Sequence, residues 1–241
     1  MHKVLEQFGK DSSVNKSSEA DAIQQVLSDV LDDVVQLKFG NNCSGMIDVQ
    51  VELARFRLRQ FSIHQAQVVF DGWSIVCTEK RIRKKLDVEG KPFTISGTID
   101  RIDIHTDGRI RILDYKTGST TANSIHFKKS DGQWIDLQLP LYRELLSEIS
   151  ELQECDTSDD NVSLGYFVIG DQDSSVGIDL LDLPDDVMLT AHDTTRSIIR
   201  SIQLGEFGEA PSDPAPPFYN DFSWICQDSN IVEDTKGEGD A

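Results

Sequence analysis

The stretch Thr94–Lys116, TISGTIDRIDIHTDGRIRILDYK, decides the fold. Two runs of alternating β-branched and apolar residues flank Thr106-Asp107-Gly108. A three-residue hairpin loop commonly pairs a type I turn with a left-handed glycine, and Gly108 stands where that loop needs it. His105 then lies opposite Arg109, Ile104 opposite Ile110, Ile102 opposite Ile112 and Asp100 opposite Asp114. Side chains alternate along a strand, so the four isoleucines and both carboxylates share one face. Lys116 is on that face too, opposite Thr98. A two-residue loop would shift the register by one and turn Ile102 and Ile104 away from Ile110 and Ile112. The hydrophobic pattern therefore selects the register that brings the two carboxylates together. The other face carries Asp103 opposite Arg111, expected to be an exposed ion pair.

Two opposed carboxylates repel unless something neutral or positive intervenes. A divalent cation removes the conflict, and hard oxygen ligands suit Mg²⁺. Lys116, two residues beyond Asp114, could orient a water or stabilise charge developing on a phosphate. The alternative is a carboxylate pair neutralised by Lys116 and Arg101 alone.

The rest of the chain frames this hairpin. Met1 to Phe8 reads as a helical end, with Val4, Leu5 and Phe8 on one face. Ala20 to Leu37 has helical apolar spacing, and Asp48 to Val69 reads as a long helix. Trp73 to Leu86, Phe93 to His105 and Arg109 to Lys116 read as strands. A helix is predicted over Ile135 to Ile149, strands over Val162 to Ile169 and Val176 to Leu181, and a helix over Leu183 to Leu204. Phe218, Tyr219, Phe222 and Trp224 should dock somewhere, whereas residues 227–241 are acidic and expected to be disordered. Helices followed by a small sheet with a helix inserted between its strands make an α/β or α+β core. One domain is expected over residues 1–226, with a helical part at 1–70 and the sheet with its helices at 73–204.

The 241 residues suffice for one good core. No run of 18 apolar residues suggests a membrane span, and no secretory signal is expected at MHKVLEQF. Cys43, Cys77, Cys155 and Cys226 show no CxxC or zinc-ligand spacing, as expected of reduced thiols in a cytoplasmic protein. The net charge of −19 is unevenly spread: residues 51–129 carry 15 Lys+Arg against 9 Asp+Glu. A basic middle thus lies within acidic flanks. Its densest run is Lys80, Arg81, Arg83, Lys84 and Lys85, which reads either as a solvated face or as a phosphate-contacting strand.

Three ordered segments, GTIDRID (Gly97 to Asp103), ILDYKTG (Ile112 to Gly118) and LQLPLY (Leu137 to Tyr142), resemble the PD-(D/E)XK nuclease superfamily, and within it the RecB/AddB-type nuclease domain. The resemblance implies a restriction-endonuclease-like α/β core, with a mixed central sheet flanked by helices and a helical N-terminal part. It implies metal-dependent hydrolysis of DNA phosphodiesters, with exonuclease action in repair or recombination beside a helicase partner. Asp100 and Asp114 would bind Mg²⁺ or Mn²⁺, with the Tyr115 backbone carbonyl as a further ligand, and Lys116 would be the catalytic lysine. Gln138 and Tyr142 match the family's QxxxY motif, whose spacing puts both on one helical face. Simple helix packing is the other reading of that pair. MHKVLEQF resembles a helix that carries a metal-binding histidine in relatives, which makes His2 the candidate. Glu79 falls where relatives often have a glutamate before the basic strand, and it stays outside the predicted catalytic set.

Some relatives carry an iron–sulfur cluster on a closely spaced cysteine trio near the C-terminus. Cys226 is alone at that end, so no cluster is expected. No GxxxxGK[ST] loop is present, so a helicase motor would come from a partner. The rival expectation is a non-catalytic DNA- or helicase-binding module using the same fold, favoured by the overall charge.

Overall fold

The register selected by the isoleucines is the one the chain adopts. In the computed structural model, Arg101 pairs with Leu113, Ile102 with Ile112, Asp103 with Arg111 and Ile104 with Ile110. Gly108 has φ 96°, its N–H donates to the His105 carbonyl, and the Arg109 N–H donates to Asp107 Oδ1. The structure describes residues 1–40, 45–118, 122, 126–128, 132–170 and 176–206. Residues Met1–Arg200 form one compact unit. Ser201–Ala241 form a second, of which 201–206 are described. The aromatic residues at 218–224 and the acidic tail lie outside the described residues.

Three helices come first: α1 (His2–Lys10), α2 (Ala20–Phe39) and α3 (Gly45–Phe70). Strands β1 (Trp73–Val88), β2 (Lys91–His105) and β3 (Ile110–Lys116) follow. A short hairpin, β4 (Phe127–Lys128) and β5 (Gln133–Trp134), leads to α4 (Gln138–Leu145) and three 3₁₀ turns, at Leu146–Glu148, Ser150–Leu152 and Asp159–Asn161. The chain then forms β6 (Val162–Ile169), β7 (Val176–Leu180) and α5 (Asp185–Leu204). The sheet order is β1-β2-β3-β6-β7, with β3 and β6 parallel and the other neighbours antiparallel. A parallel pair needs a long crossover, and the segment holding β4, β5 and α4 supplies it.

Each face of this mixed sheet buries its own core. On one side Val4, Leu5 and Phe8 of α1, Ile23 and Leu27 of α2, and Phe61 of α3 cover Leu113, Tyr115, Phe167 and Ile169. On the other, Leu139, Tyr142 and Leu145 of α4, with Leu146, Ile149 and Leu152 beyond it, cover Ile102, Ile110, Ile112, Leu164 and Tyr166. The predicted helix from Ile135 to Ile149 is shorter than expected. The Asp136 carboxylate accepts the Gln138 N–H at 2.6 Å, and the Ile135 N–H is held by the His126 carbonyl. The segment after Leu145 winds as 3₁₀ turns, Leu146–Glu148 and Ser150–Leu152. The β4–β5 hairpin has no counterpart in the sequence reading.

Asp103 and Arg111 correct a second expectation, because their pair is buried rather than exposed. α3 covers that face of the hairpin and brings Gln65 to it. Arg101, fully buried, donates to both Asp103 oxygens at 2.6 and 2.9 Å and to Gln65 Oε1 at 2.7 Å. Arg111 reaches Asp103 Oδ2 at 2.8 and 2.9 Å and lies over the Trp73 ring. Burial disfavours the Arg101 charge, but its neighbours, Asp103 foremost, outweigh that and hold it protonated. Arg101 is therefore committed to the helical side of the sheet and is not the neutraliser of Asp100 and Asp114.

At Gly165 a methyl group would sit 2.4 Å from the Asp179 carbonyl oxygen and 2.8 Å from Leu180 Cα. Both are backbone atoms of the neighbouring strand and cannot step aside cheaply. Gly165→Ala is expected to cost about 1–3 kcal/mol, read as a fall in the thermal midpoint. An unchanged midpoint would contradict this β6–β7 packing. Among the described residues Cys77 and Cys155 are free thiols, and burial pushes the Cys77 thiol up to about 11; Cys43 and Cys226 lie outside the described residues. Among the described residues, no helix is long and apolar enough to cross a membrane.

Candidate active site

The site forms where the long β1–β2 hairpin bends. Alternation along β1 breaks at Glu79, whose φ of 47° lies in the left-handed region that non-glycine residues seldom enter. On one side of the break, Thr78 meets α1: its hydroxyl donates to the Glu6 carbonyl, and its Cγ2 leaves no room for a side chain at Gly9. On the other, Lys80 reaches Glu151 at 2.6 Å beside α4. The strand thus changes faces at Glu79, between the two helical layers.

The strand partner parts from β3 at the same level. The antiparallel β2–β3 ladder ends at Arg101 and Leu113. Continuing the alternation would give the Tyr115 N–H to the Ile99 carbonyl. Instead it donates to Asp100 Oδ2 at 2.9 Å. Asp100 and Asp114 are near neighbours, as the register implied, but a side chain replaces the rung beyond them.

Around Asp100 stands one half of the site. His2 Nδ1 lies 3.3 Å from Asp100 Oδ2 and 3.5 Å from Glu79 Oε1. Donor atoms of His2, Glu79 and Asp100 lie within 4.8 Å of one another. Glu79 Oε1 is buried and accepts no hydrogen bond. Burial raises the Asp100 carboxyl to about 6, with Asp114 and Glu79 adding to the rise. The Tyr115 N–H and His2 oppose it.

Around Asp114 stands the other half. Lys116 Nζ is 2.8 Å from Asp114 Oδ2 and lies over the Tyr166 ring. Gln138 Nε2 donates to Asp114 Oδ1 at 2.9 Å and to the Tyr142 hydroxyl at 2.8 Å. Burial pushes the Tyr142 phenol up to about 12, so it stays protonated near neutral pH. Tyr142 and Leu145 pack on Gly97, where a methyl group would come within 3.3 Å of Leu145. The Gln138–Tyr142 pair thus both packs the helix and ties it to a carboxylate.

The structure therefore brings His2, Asp100, Asp114, Lys116, Gln138 and Tyr142 to one place. Tyr115 contributes its N–H to Asp100 and buries its ring on the helical side, edge-on to His2. Glu79 joins them, although the sequence reading left it out. Its left-handed backbone is what aims it here, and nothing in a run of alternating strand residues announces that.

Hard carboxylate oxygens with one imidazole fit a small divalent cation. An unbonded buried oxygen and a carboxyl raised by burial, with two other carboxylates adding to the rise, are what such an ion would relieve. His2, Glu79 and Asp100 supply three donors. Asp114 would join them with an oxygen now held by Lys116 or Gln138.

A sequence model described as the PD-(D/E)XK nuclease superfamily matches residues 1–227. An ATP-dependent helicase/deoxyribonuclease subunit from Carboxydothermus hydrogenoformans is 36% identical over 113 residues, covering 42% of this chain and 10% of that protein. The protein of the same name from Clostridium perfringens is 26% identical over 175 residues, covering 63% of this chain and 14% of that one. The chain thus spans only about a tenth to a seventh of these relatives. With the match covering all the residues that converge at the bend, and with a mixed sheet between helical layers, the chain belongs to the PD-(D/E)XK nuclease superfamily and has its restriction-endonuclease-like fold.

Proposed function

We propose that the chain is a magnesium- or manganese-dependent deoxyribonuclease that hydrolyses DNA phosphodiester bonds, as an exonuclease acting in repair or recombination with a helicase partner. The observation that carries this reading is the pairing of two half-sites at one bend. An oxygen-rich cluster (His2, Glu79, Asp100) with an unbonded buried carboxylate oxygen lies beside the Lys116–Asp114–Gln138 chain. The helicase partner rests on the names of the two relatives, which are far longer than this chain, and the repair or recombination setting on the family resemblance alone.

Held by His2, Glu79, Asp100 and Asp114, with the Tyr115 carbonyl as the further ligand the family resemblance implies, a divalent cation would supply Lewis acidity to the phosphate and a more acidic water. The remaining work belongs to the chain's own groups. Lys116 presents a partly exposed ammonium group, steadied by Asp114 and the Tyr166 ring, to charge developing on the phosphate. Gln138 fixes the orientation of Asp114 and is itself fixed by Tyr142. His2, half exposed on α1, stands at the mouth of the site.

The net charge of −19 weakens the grip of the isolated chain on DNA and so counts against efficient cutting by it alone, which leaves a second reading, a non-catalytic module that binds DNA or a helicase. Labelled single- and double-stranded DNA incubated with the chain in Mg²⁺, Mn²⁺ or EDTA separates the two. Degradation in metal and none in EDTA, with Lys116→Ala nearly inactive, is the expected result. Equal degradation by Lys116→Ala would remove the assigned site, and DNA binding without cleavage in any metal would establish the module.

Because Gly9 lets α1 approach Thr78, it sets the distance from His2 to Glu79. Gly9→Val puts a branched side chain where Thr78 Cγ2 already lies 2.3 Å from the first added atom. The helix is expected to lift, and Mn²⁺ affinity to fall about 10-fold or more, the usual scale for disturbed support of a metal site. Unchanged Mn²⁺ affinity in a calorimetric titration would show that α1 does not position the site.

A further inference from the structure

The basic run on β1 divides into two rows with different fates. Beyond Glu79, β1 and β2 continue as a two-stranded arm, paired from Lys80↔Ile99 to Val88↔Lys91 and closed by Glu89 and Gly90, both at positive φ. One face of the arm packs against α4 and the turns beyond it. Ile82 is buried there, Lys80 is paired with Glu151, and Lys84 donates to the Glu144 carbonyl. On the opposite face Arg81, Arg83 and Lys85 are exposed, about 6.7 Å apart along the strand. Among the described residues, these three side chains have no ion pair or hydrogen bond. Their cross-strand partners are Thr98, Ser96 and Thr94, all exposed hydroxyl residues. Further along, only Asp87 opposite Pro92 breaks the row's sign.

An unpaired cationic row is costly to explain as structure in a chain that has 42 acidic residues to pair with 23 basic ones. Lys80 and Lys84 found partners; Arg81, Arg83 and Lys85 did not. The row begins two residues from Glu79, and its face is the one turned away from α4. We propose that Arg81, Arg83 and Lys85, with Thr94, Ser96 and Thr98 beside them, form a track for the sugar–phosphate backbone of a single DNA strand leading to the site. Alternate strand residues give a straight line of cations, the hydroxyls donate to phosphate oxygens, and among the described residues of the arm no exposed aromatic ring on this face reads bases. Binding of this kind is independent of sequence. The proposal rests on the nuclease reading and names how that site receives its substrate.

Binding of a labelled oligothymidylate to the Asp114→Asn chain in EDTA, titrated with salt, tests the track without cleavage. Each phosphate that is no longer neutralised lowers the slope of log affinity against log salt by about 0.7 for a single strand. The expected result is a slope smaller by about 2 in Arg81→Gln/Arg83→Gln/Lys85→Gln, with each single variant showing a part of it. Lys80→Gln/Lys84→Gln, on the packed face, is expected to keep the parental slope. Equal slope changes per charge in both sets would mean a bulk charge effect and overturn the track, as would an unchanged slope in the triple variant. Cleavage by the parent chain, assayed separately in Mg²⁺, keeps the two readings apart. A chain that cuts DNA while the triple variant binds normally loses the track and keeps the nuclease. A chain that does not cut, while the triple variant loses binding, keeps the track and loses the nuclease.

Discussion

Asp114→Asn is expected to lower the rate of DNA cleavage by about three orders of magnitude or more and to leave the fold intact. Asp114 is held through both of its oxygens, by Lys116 and by Gln138. Amidation keeps its shape and its ability to accept from Gln138. It removes the negative charge that would hold a cation and that steadies the Lys116 ammonium. Losing one preorganised donor in an active site commonly costs about 10²–10³ in rate, and here a metal ligand and the anchor of Lys116 fail together. Single-turnover cleavage in Mg²⁺ reads the loss, and an unchanged thermal midpoint separates it from unfolding. A variant within 10-fold of the parent would place the chemistry elsewhere.

Asp103→Ala is the substitution expected to cost most in stability. Two arginines converge on this fully buried carboxylate, Arg101 from β2 and Arg111 from β3. Removing one partner of a buried ion pair typically costs about 3–5 kcal/mol. Here the deletion strands two cations, one of them with no exposed surface at all. Gln65 can take one Arg101 donor but carries no charge. For a domain of this size the loss approaches half of a typical folding free energy, so denaturation by urea should shift far to lower concentration or the chain should fail to fold. Asp103→Leu with Arg101→Met and Arg111→Leu, which replaces the whole triad by apolar groups, should recover much of the loss. A single variant as stable as the parent would mean that the triad is not buried under α3.

The hairpin is legible because its loop chemistry and its isoleucine pattern agree on one register, and a one-residue slip would turn Ile102 and Ile104 away from Ile110 and Ile112. The first helix was legible through Val4, Leu5 and Phe8, which are buried as their spacing implied. What escaped depends on tertiary covering. Asp103 and Arg111 look like a surface pair in the strand pattern, and only the docking of α3 with Gln65 makes them interior. The helix predicted from Ile135 is cut short by the Asp136 carboxylate at its start, a local hydrogen bond that periodicity does not weigh. Asp100, Asp114, Lys116, Gln138 and Tyr142 could be named because motif spacing and strand register coincide. The resemblance marks the position of Glu79, but the strand pattern does not aim it at the site, because its placement comes from a left-handed backbone in mid-strand. The basic run read the same whether solvated or functional; the strand pairing separates its two rows.

The proposed chemistry stands or falls with a divalent-cation site at the bend in the β1–β2 hairpin. Mn²⁺ binding followed by electron paramagnetic resonance, in the parent chain and in Asp100→Asn and Glu79→Gln, tests it most directly. Saturable binding by the parent, weakened by 10-fold or more in each variant, is the predicted result. Equal Mn²⁺ binding by all three, or none by the parent, would contradict it.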